Sequence, residues 1–303
     1  MKQGVLFGIA AYLVWGLMPL YWKLFQQMAA WEILAHRVVW SVVFVGLWLA
    51  ITSRLPQMWE AVADRKKKVA ILISALLISA NWLIFIWAVN NDHVMETSLG
   101  YYINPLINVL FGVLFLKEKL RMGQWVAIGL ATVGVSIIAL QYGQIPWVAI
   151  SLALTFALYG LAKKVINLDS MLSLAWETLI VFPLSLLYLV YIHINETDTV
   201  STLSGWQLPL LTLVGVATAL PLYWFAQSTK TLSLSTLGFI QYLAPSASLL
   251  LAIFVFGEPF TATHVISFGF IWSALIVFTV ATMRKKPAPV QAPASDMYMK
   301  KEA

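Results

Sequence analysis

Residues 123–141 read GQWVAIGLATVGVSIIALQ, a run without one Asp, Glu, Lys or Arg. Coiled as a helix at 1.5 Å per residue, such a run is about as long as the ~30 Å hydrocarbon core of a bilayer. It is apolar on every side, with no polar stripe to turn toward water. Lys117, Lys119 and Arg121 stand immediately before it, the kind of basic flank that stays on the cytoplasmic side of a membrane.

Working outward from this run, the same pattern recurs along the chain. Apolar runs set between breakers and charges predict ten helices, at 4–22, 31–51, 70–90, 97–116, 123–141, 147–164, 170–192, 207–228, 232–256 and 264–283. The composition agrees: 61% of the 303 residues are apolar and 11% charged, against roughly 25% charged in a soluble domain. The mean hydropathy is +0.83. The fold class expected is therefore an all-α polytopic membrane protein with ten transmembrane helices, its immediate partner the lipid bilayer. The first run, 4–22, is expected to stay in the protein as a helix, because no small-residue cleavage site follows it.

The net charge of +6 does not point to nucleic acid, because the cations gather in short connectors between apolar runs. Assigning those connectors alternately to two sides puts seventeen Lys and Arg on one side and only Lys23 on the other, together with Asp92, Glu96, Glu196, Asp198 and Glu258. Both termini are then expected in the cytoplasm. Residues 284–303, rich in Pro, Ala and Lys, are expected as a disordered cytoplasmic tail.

The two halves of the chain echo each other. Trp31-Glu32-Ile33-Leu34 is matched by Trp176-Glu177-Thr178-Leu179, Trp15-Gly16-Leu17 by Tyr159-Gly160-Leu161, and Ser98-Leu99-Gly100 by Thr236-Leu237-Gly238. Pro105 precedes Glu118 by the same spacing as Pro245 precedes Glu258. A repeat of five helices places the second half upside down relative to the first, the arrangement of many carriers that rock around a site at the membrane midplane. The expected organisation is a first repeat at 1–141, a second, inverted one at 142–283, and the tail.

Tyr101-Tyr102-Ile103-Asn104-Pro105-Leu106, Asn81-Trp82, Trp87-Ala88-Val89-Asn90 and Gln241-Tyr242-Leu243-Ala244-Pro245 resemble the drug/metabolite transporter superfamily and, within it, the EamA-type permeases. The resemblance runs from 4 to 283. It implies a ten-helix carrier of the bacterial inner membrane that exports metabolites, and it leaves the cargo open.

Ionisable groups inside spans are costly, about 2.5–3.5 kcal/mol each on insertion scales, and so are candidates for function. Glu32, His36 and Arg37 lie on the second predicted helix, Glu32 and His36 on one face. Glu177 lies on the seventh, roughly 10 Å from its cytoplasmic end. These four are expected to bind a polar solute or relay a proton, the alternatives being Glu32 at the headgroup level and Arg37 neutralised structurally by Glu32 or by a neighbouring helix. Pro105 and Pro245 lack an N–H and so free the carbonyls of Tyr101 and Gln241, while Pro19, Pro183 and Pro221 repeat the effect elsewhere. Asn104, Asn108, Gln241 and Tyr242 stand nearby as candidate substrate contacts. Asn81 and Gln227 fit either interhelical hydrogen bonds or a cavity wall. Tyr12, Trp15, Trp82, Tyr101, Tyr102, Tyr223 and Trp224 are candidates for an aromatic-lined cavity. Glu118 and Glu258, at helix boundaries, are expected to cap or gate.

No phosphate-binding G-x-x-x-x-G-K-[ST] loop occurs, so neither a nucleotide nor any other cofactor is expected. Cysteine is absent, and the four histidines, at 36, 93, 193 and 264, form no H-E-x-x-H motif, so no metal site is expected. The activity expected is alternating-access export or exchange of small metabolites or amphipathic drug-like molecules, with proton coupling open, and not an enzyme. A membrane-embedded enzyme and a channel are the rival readings, and the oligomeric state is open.

Overall fold

The computed structural model describes residues 2–62, 64–90, 94–142, 146–165, 169–255 and 262–283. Glu258, Asp92, His93 and the tail at 284–303 lie outside them. The described residues form α1 (Lys2–Lys23), α2 (Ala30–Ile51), α3 (Leu55–Ala61), α4 (Arg65–Asn90), α5 (Val94–Leu114), α6 (Met122–Tyr142), α7 (Trp147–Val165), α8 (Ser170–Ile194), α9 (Gln207–Thr231), α10 (Leu234–Gln241), α11 (Leu243–Phe254) and α12 (Ala262–Met283). Nine segments among the described residues are long and apolar enough to span a membrane, and Leu99–Leu114 is a shorter apolar helix.

Each of the ten predicted spans has its counterpart, with two refinements. The basic loop at 52–69 contains α3, begun by Pro56 near its N-terminus, where a missing N–H is no loss. The ninth span is two helices. Pro245 has no N–H to offer the Gln241 carbonyl, and α10 ends there. The next helical bond runs from the Ser246 N–H to the Tyr242 carbonyl at 3.1 Å. Pro105 has no such effect, and α5 runs through it, as α1, α8 and α9 run through Pro19, Pro183 and Pro221.

Large apolar side chains such as Leu6, Leu47, Leu76, Leu187 and Ile276 lie on the outside, the surface a bilayer would cover. The interior faces are built from small residues, as on α1, where Gly4, Gly8, Ala11 and Gly16 are buried. Between helices in lipid, close backbone approach replaces the hydrophobic effect as the source of cohesion. A Cβ on Gly215 of α9 would sit 2.2 Å from the Trp40 carbonyl oxygen of α2, so only glycine permits this crossing.

Two large buried clusters result, beside two smaller ones. The larger joins α1, α2, α4, α5, α7, α8, α9 and α10 through Tyr12, Leu49, Tyr159, Leu174, Phe225 and Leu237 among others. The second joins α5, α6, α7, α10 and α12 through Val109, Ala131, Phe239, Ile271 and Phe278. The main packings are α1 on α9 and α11, α2 on α8 and α9, α4 on α7 and α8, α5 on α7 and α10, and α6 on α12.

Candidate functional site

The two proline-bearing segments meet at the centre of the bundle. A Cβ on Gly238 of α10 would lie 2.7 Å from the Pro105 carbonyl oxygen of α5, so the two backbones touch. Around this crossing the predicted polar residues converge. The Asn108 amide donates to Asn104 Oδ1 at 2.9 Å and to Gln241 Oε1 at 2.8 Å, and the Tyr12 hydroxyl donates to the same Gln241 oxygen at 3.4 Å. Asn104 Nδ2 donates to the Ala153 carbonyl of α7 at 2.5 Å. Asn81 joins α4 to α7, donating to the Leu152 carbonyl and to Thr155 Oγ1, both at 2.9 Å. Tyr12, Asn104, Asn108, Gln241 and Tyr242 are all buried. Among the described residues Asn108 Oδ1 and the Tyr242 hydroxyl have no hydrogen-bond partner, so polar capacity is left over at this crossing.

Glu177 occupies a second centre, where α4, α7 and α8 meet. Lys163 Nζ lies 2.6 Å from Glu177 Oε1, both side chains almost wholly buried. Ser74 donates to that oxygen at 2.6 Å and Ser173 at 3.0 Å, while the Tyr159 hydroxyl donates to Oε2 at 3.3 Å. Lys163 also donates to Ser173 Oγ at 2.8 Å. Lys163, one of the seventeen cations assigned to a single side, does not reach for water: the last turn of α7 turns it inward, where an unpaired ammonium would be prohibitive and Glu177 neutralises it. Glu177 is thus a saturated ion-pair partner rather than a carboxylate facing an open cavity.

The trio on α2 divides. Glu32 is buried at 1% exposure and accepts from the Thr199 N–H at 2.9 Å and the Thr199 hydroxyl at 2.6 Å. It thereby pins the loop between α8 and α9, at the start of its 3-10 turn (Val200–Thr202). The alternative of a Glu32–Arg37 pair is not what forms: Glu32 is spent on Thr199. His36 Nε2 is buried without a hydrogen-bond partner among the described residues. The Arg37 guanidinium carbon lies 4.9 Å from the centroid of Trp22 on α1 and 5.1 Å from that of Trp82 on α4, and Nε donates to Thr218 Oγ1 of α9 at 3.2 Å.

The aromatic candidates also split. Tyr12 and Trp15 pack with Phe156, Tyr159 and Phe225 at centroid distances of 5.4–6.2 Å, a filled cluster rather than the wall of a hollow. Tyr102 packs edge-on against Phe268 at 5.4 Å. Half of Tyr101 is exposed. Tyr223 lies edge-on to Phe7 and accepts from Gln227 Nε2 at 2.9 Å, so Gln227 is satisfied within α9. Trp224 packs against the larger core cluster.

Glu118 caps a helix, as its boundary position suggested. Oε1 accepts from the Leu234 N–H at 2.6 Å, and Oε2 from the Ser235 N–H at 3.1 Å and hydroxyl at 2.6 Å, at the N-terminus of α10 where a negative charge is favoured. Lys164 complements it by donating to the Thr229 carbonyl at 3.1 Å and to the Leu232 carbonyl at the end of α9. The α9–α10 turn is held by opposite charges matched to two helix dipoles.

Sequence reasoning missed Lys163, Ser74, Ser173, Trp22 and Thr218. Lys163 alone carried a signal, since it falls before the end of an apolar run. The hydroxyls and Trp22 look like ordinary membrane-helix residues until their neighbours are known.

The model of the EamA-like transporter family matches this chain twice, over residues 2–140 and 145–280. The chain belongs to the EamA-like transporter family. It is 46% identical over 280 residues to an uncharacterized transporter of Vibrio cholerae serotype O1, covering 92% of each chain. It is also 40% identical over 279 residues to the protein RarD of Escherichia coli, covering 92% of this chain and 94% of that one. A solved crystal structure shares its fold with a TM-score of 0.72 at 19% identity, covering 93% of this chain and 99% of the other. As a member of this family it is a multi-pass membrane permease.

Proposed function

We propose that this EamA-family permease is a secondary carrier of two inverted five-helix halves, working by alternating access in the bacterial inner membrane with both termini in the cytoplasm. Its cargo is a small metabolite or amphipathic drug-like molecule, exported or exchanged. The observation that carries this reading is the crossing of α5 and α10 at the centre of the bundle. There a helix break, a backbone contact and the Asn104–Asn108–Gln241 network coincide, with two polar groups unpartnered. Broken helices near the midplane at the junction of repeats are where carriers bind their solutes.

The inverted repeat draws support from the packing. Exchanging α1 with α7, α2 with α8, α4 with α9, α5 with α10–α11 and α6 with α12 turns the α1–α9 packing into α7–α4, α2–α9 into α8–α4, and α5–α7 into α11–α1. The packings α2–α8, α6–α12 and α5–α10 map onto themselves. The double match of the family model points the same way. Rocking of the halves about these self-paired contacts would expose the crossing to each side in turn.

Counterflow of labelled metabolites, including amino acids and chloramphenicol, in proteoliposomes with and without a pH gradient tests the proposal. Accelerated exchange of a preloaded solute is expected. Single-channel currents in place of saturable exchange would overturn it.

A further inference from the structure

Resting on the carrier reading, we infer that the solute this protein recognises is an organic monocarboxylate, and that Arg37 is the residue that binds its carboxylate. Arg37 sits seven residues into α2, on the order of 10 Å along the helix, deep enough to lie well inside the bilayer. Four further helices converge on it: α1 through Trp22, α4 through Trp82, α9 through Thr218, and α5 through Tyr101, whose phenol lies within electrostatic reach of the guanidinium.

A guanidinium carries five N–H donors in one plane. The Thr218 hydroxyl takes the Nε donor, and the indole rings offer π-faces that accept charge. Among the described residues neither these nor the neutral Tyr101 phenol forms a hydrogen bond with the in-plane terminal donors. Among the described residues no carboxylate lies within ion-pair distance of Arg37. The neighbouring acids are committed elsewhere, Glu32 to Thr199 and Glu177 to Lys163. An intramembrane cation without a counter-charge is costly, and a fold under no other demand would lose it.

The pseudo-repeat shows that the fold makes no demand for arginine here. Aligning Trp31-Glu32 with Trp176-Glu177 places Phe182 opposite Arg37. The two glutamates of the repeat both serve as structural anchors, whereas the cation exists in one half only. The pair of terminal N–H groups matches a carboxylate bidentately. One positive charge is balanced by one negative charge, so a monoanion leaves the site neutral inside the membrane, where a dianion would add an unpaired charge. Trp22 and Trp82, both half-buried, supply apolar surface for the organic part of the solute.

The test uses the full chain in lipid nanodiscs, with thermal unfolding recorded against benzoate, phenylacetate, indole-3-acetate and lactate, each beside its amide. At least one carboxylate should raise the unfolding temperature while its amide does not. Arg37→Gln should weaken that carboxylate's binding on the order of a hundredfold and Arg37→Lys on the order of tenfold, since the lysine keeps the charge and loses the fork. Arg37→Lys also guards against a folding defect in the glutamine variant. Equal responses to acid and amide, no response to any acid, or binding unchanged in Arg37→Gln would each overturn the assignment. Counterflow in proteoliposomes separates the two readings. Exchange of a neutral or cationic solute that Arg37→Gln leaves intact keeps the carrier and removes the carboxylate site, whereas Arg37-dependent binding without exchange keeps the site and removes the carrier.

Discussion

Lys163 Nζ and Glu177 Oε1 lie 2.6 Å apart in the interior, joining the last turn of α7 to the second turn of α8. The pair is closed by Ser74, Ser173 and Tyr159, so neither charge has access to water or to a solute in this conformation. Removing one member leaves the other buried and uncompensated.

Glu177→Gln is therefore expected to destabilise the protein by about 3–5 kcal/mol through the stranded Lys163. The double variant Lys163→Met/Glu177→Met should recover most of that loss, because an apolar pair of similar volume needs no partner. Thermal unfolding of both proteins in detergent checks this. A single variant as stable as the parent would show that Lys163 finds another partner or loses its proton.

The cap on α10 makes a graded expectation. Glu118→Ala removes three accepted hydrogen bonds at the turn between α9 and α10, at a cost of about 1–2 kcal/mol. Glu118→Gln keeps one carbonyl oxygen and should fall between. Hydrogen exchange at the Leu234 and Ser235 amides should rise in the same order, and unchanged protection in the alanine variant would remove the cap from the account.

Two glycines should respond in opposite directions. Gly215→Ala drives a Cβ into the Trp40 carbonyl at 2.2 Å and forces α2 from α9, for a loss of about 1–3 kcal/mol. Gly129→Ala on α6 meets nothing within 4 Å and should stabilise by up to about 1 kcal/mol through helix propensity. Unfolding temperatures of the two variants against the parent decide it.

Outside the spans, Asp169 caps α8 by accepting from the Met171 and Leu172 N–H groups at 3.0 and 3.2 Å, and pairs with Arg54 at 3.1 Å. Partial burial pushes its carboxyl up, but the Arg54 hydrogen bond and charge, with the two backbone N–H groups, outweigh this and hold it below the usual carboxylate range. A depressed folded pKa contributes stability above the unfolded value near pH 4, and that contribution disappears as pH falls through the folded value. The difference in stability between the parent and Arg54→Ala, no more than about 1 kcal/mol for so exposed a pair, should be constant near neutrality and shrink toward zero below pH 4. A difference that grew on acidification would contradict the assignment.

Much of this architecture was legible in the residues. Ten spans and the capping role of Glu118 follow from local chemistry, the transfer of apolar side chains and a carboxylate at a helix boundary. The break before Pro245 does not, since α1, α5, α8 and α9 run through prolines that lack the same N–H. The polar candidates Asn104, Asn108 and Gln241 were also legible, since amides within apolar runs need partners. Their mutual contact was not, because it depends on α5 crossing α10. The pairing of Lys163 was hidden for the same reason. Near the end of a span an ammonium can reach out to water or turn inward to an acid, and its own sequence neighbourhood is identical in both cases.

By itself the sequence determined that this chain is a helical membrane protein, because hydropathy belongs to each segment's own atoms, and the motifs at 101–106 and 241–245 carried its resemblance to the EamA-type permeases. Only the tertiary structure decided which charges are spent and which remain. It paired Glu177 with Lys163 and Glu32 with Thr199, and left Arg37 against two indoles with no carboxylate in ion-pair distance among the described residues. Partner choice depends on distances between atoms of different helices, and small residues such as Gly215 and Gly238 set those distances when the helices pack.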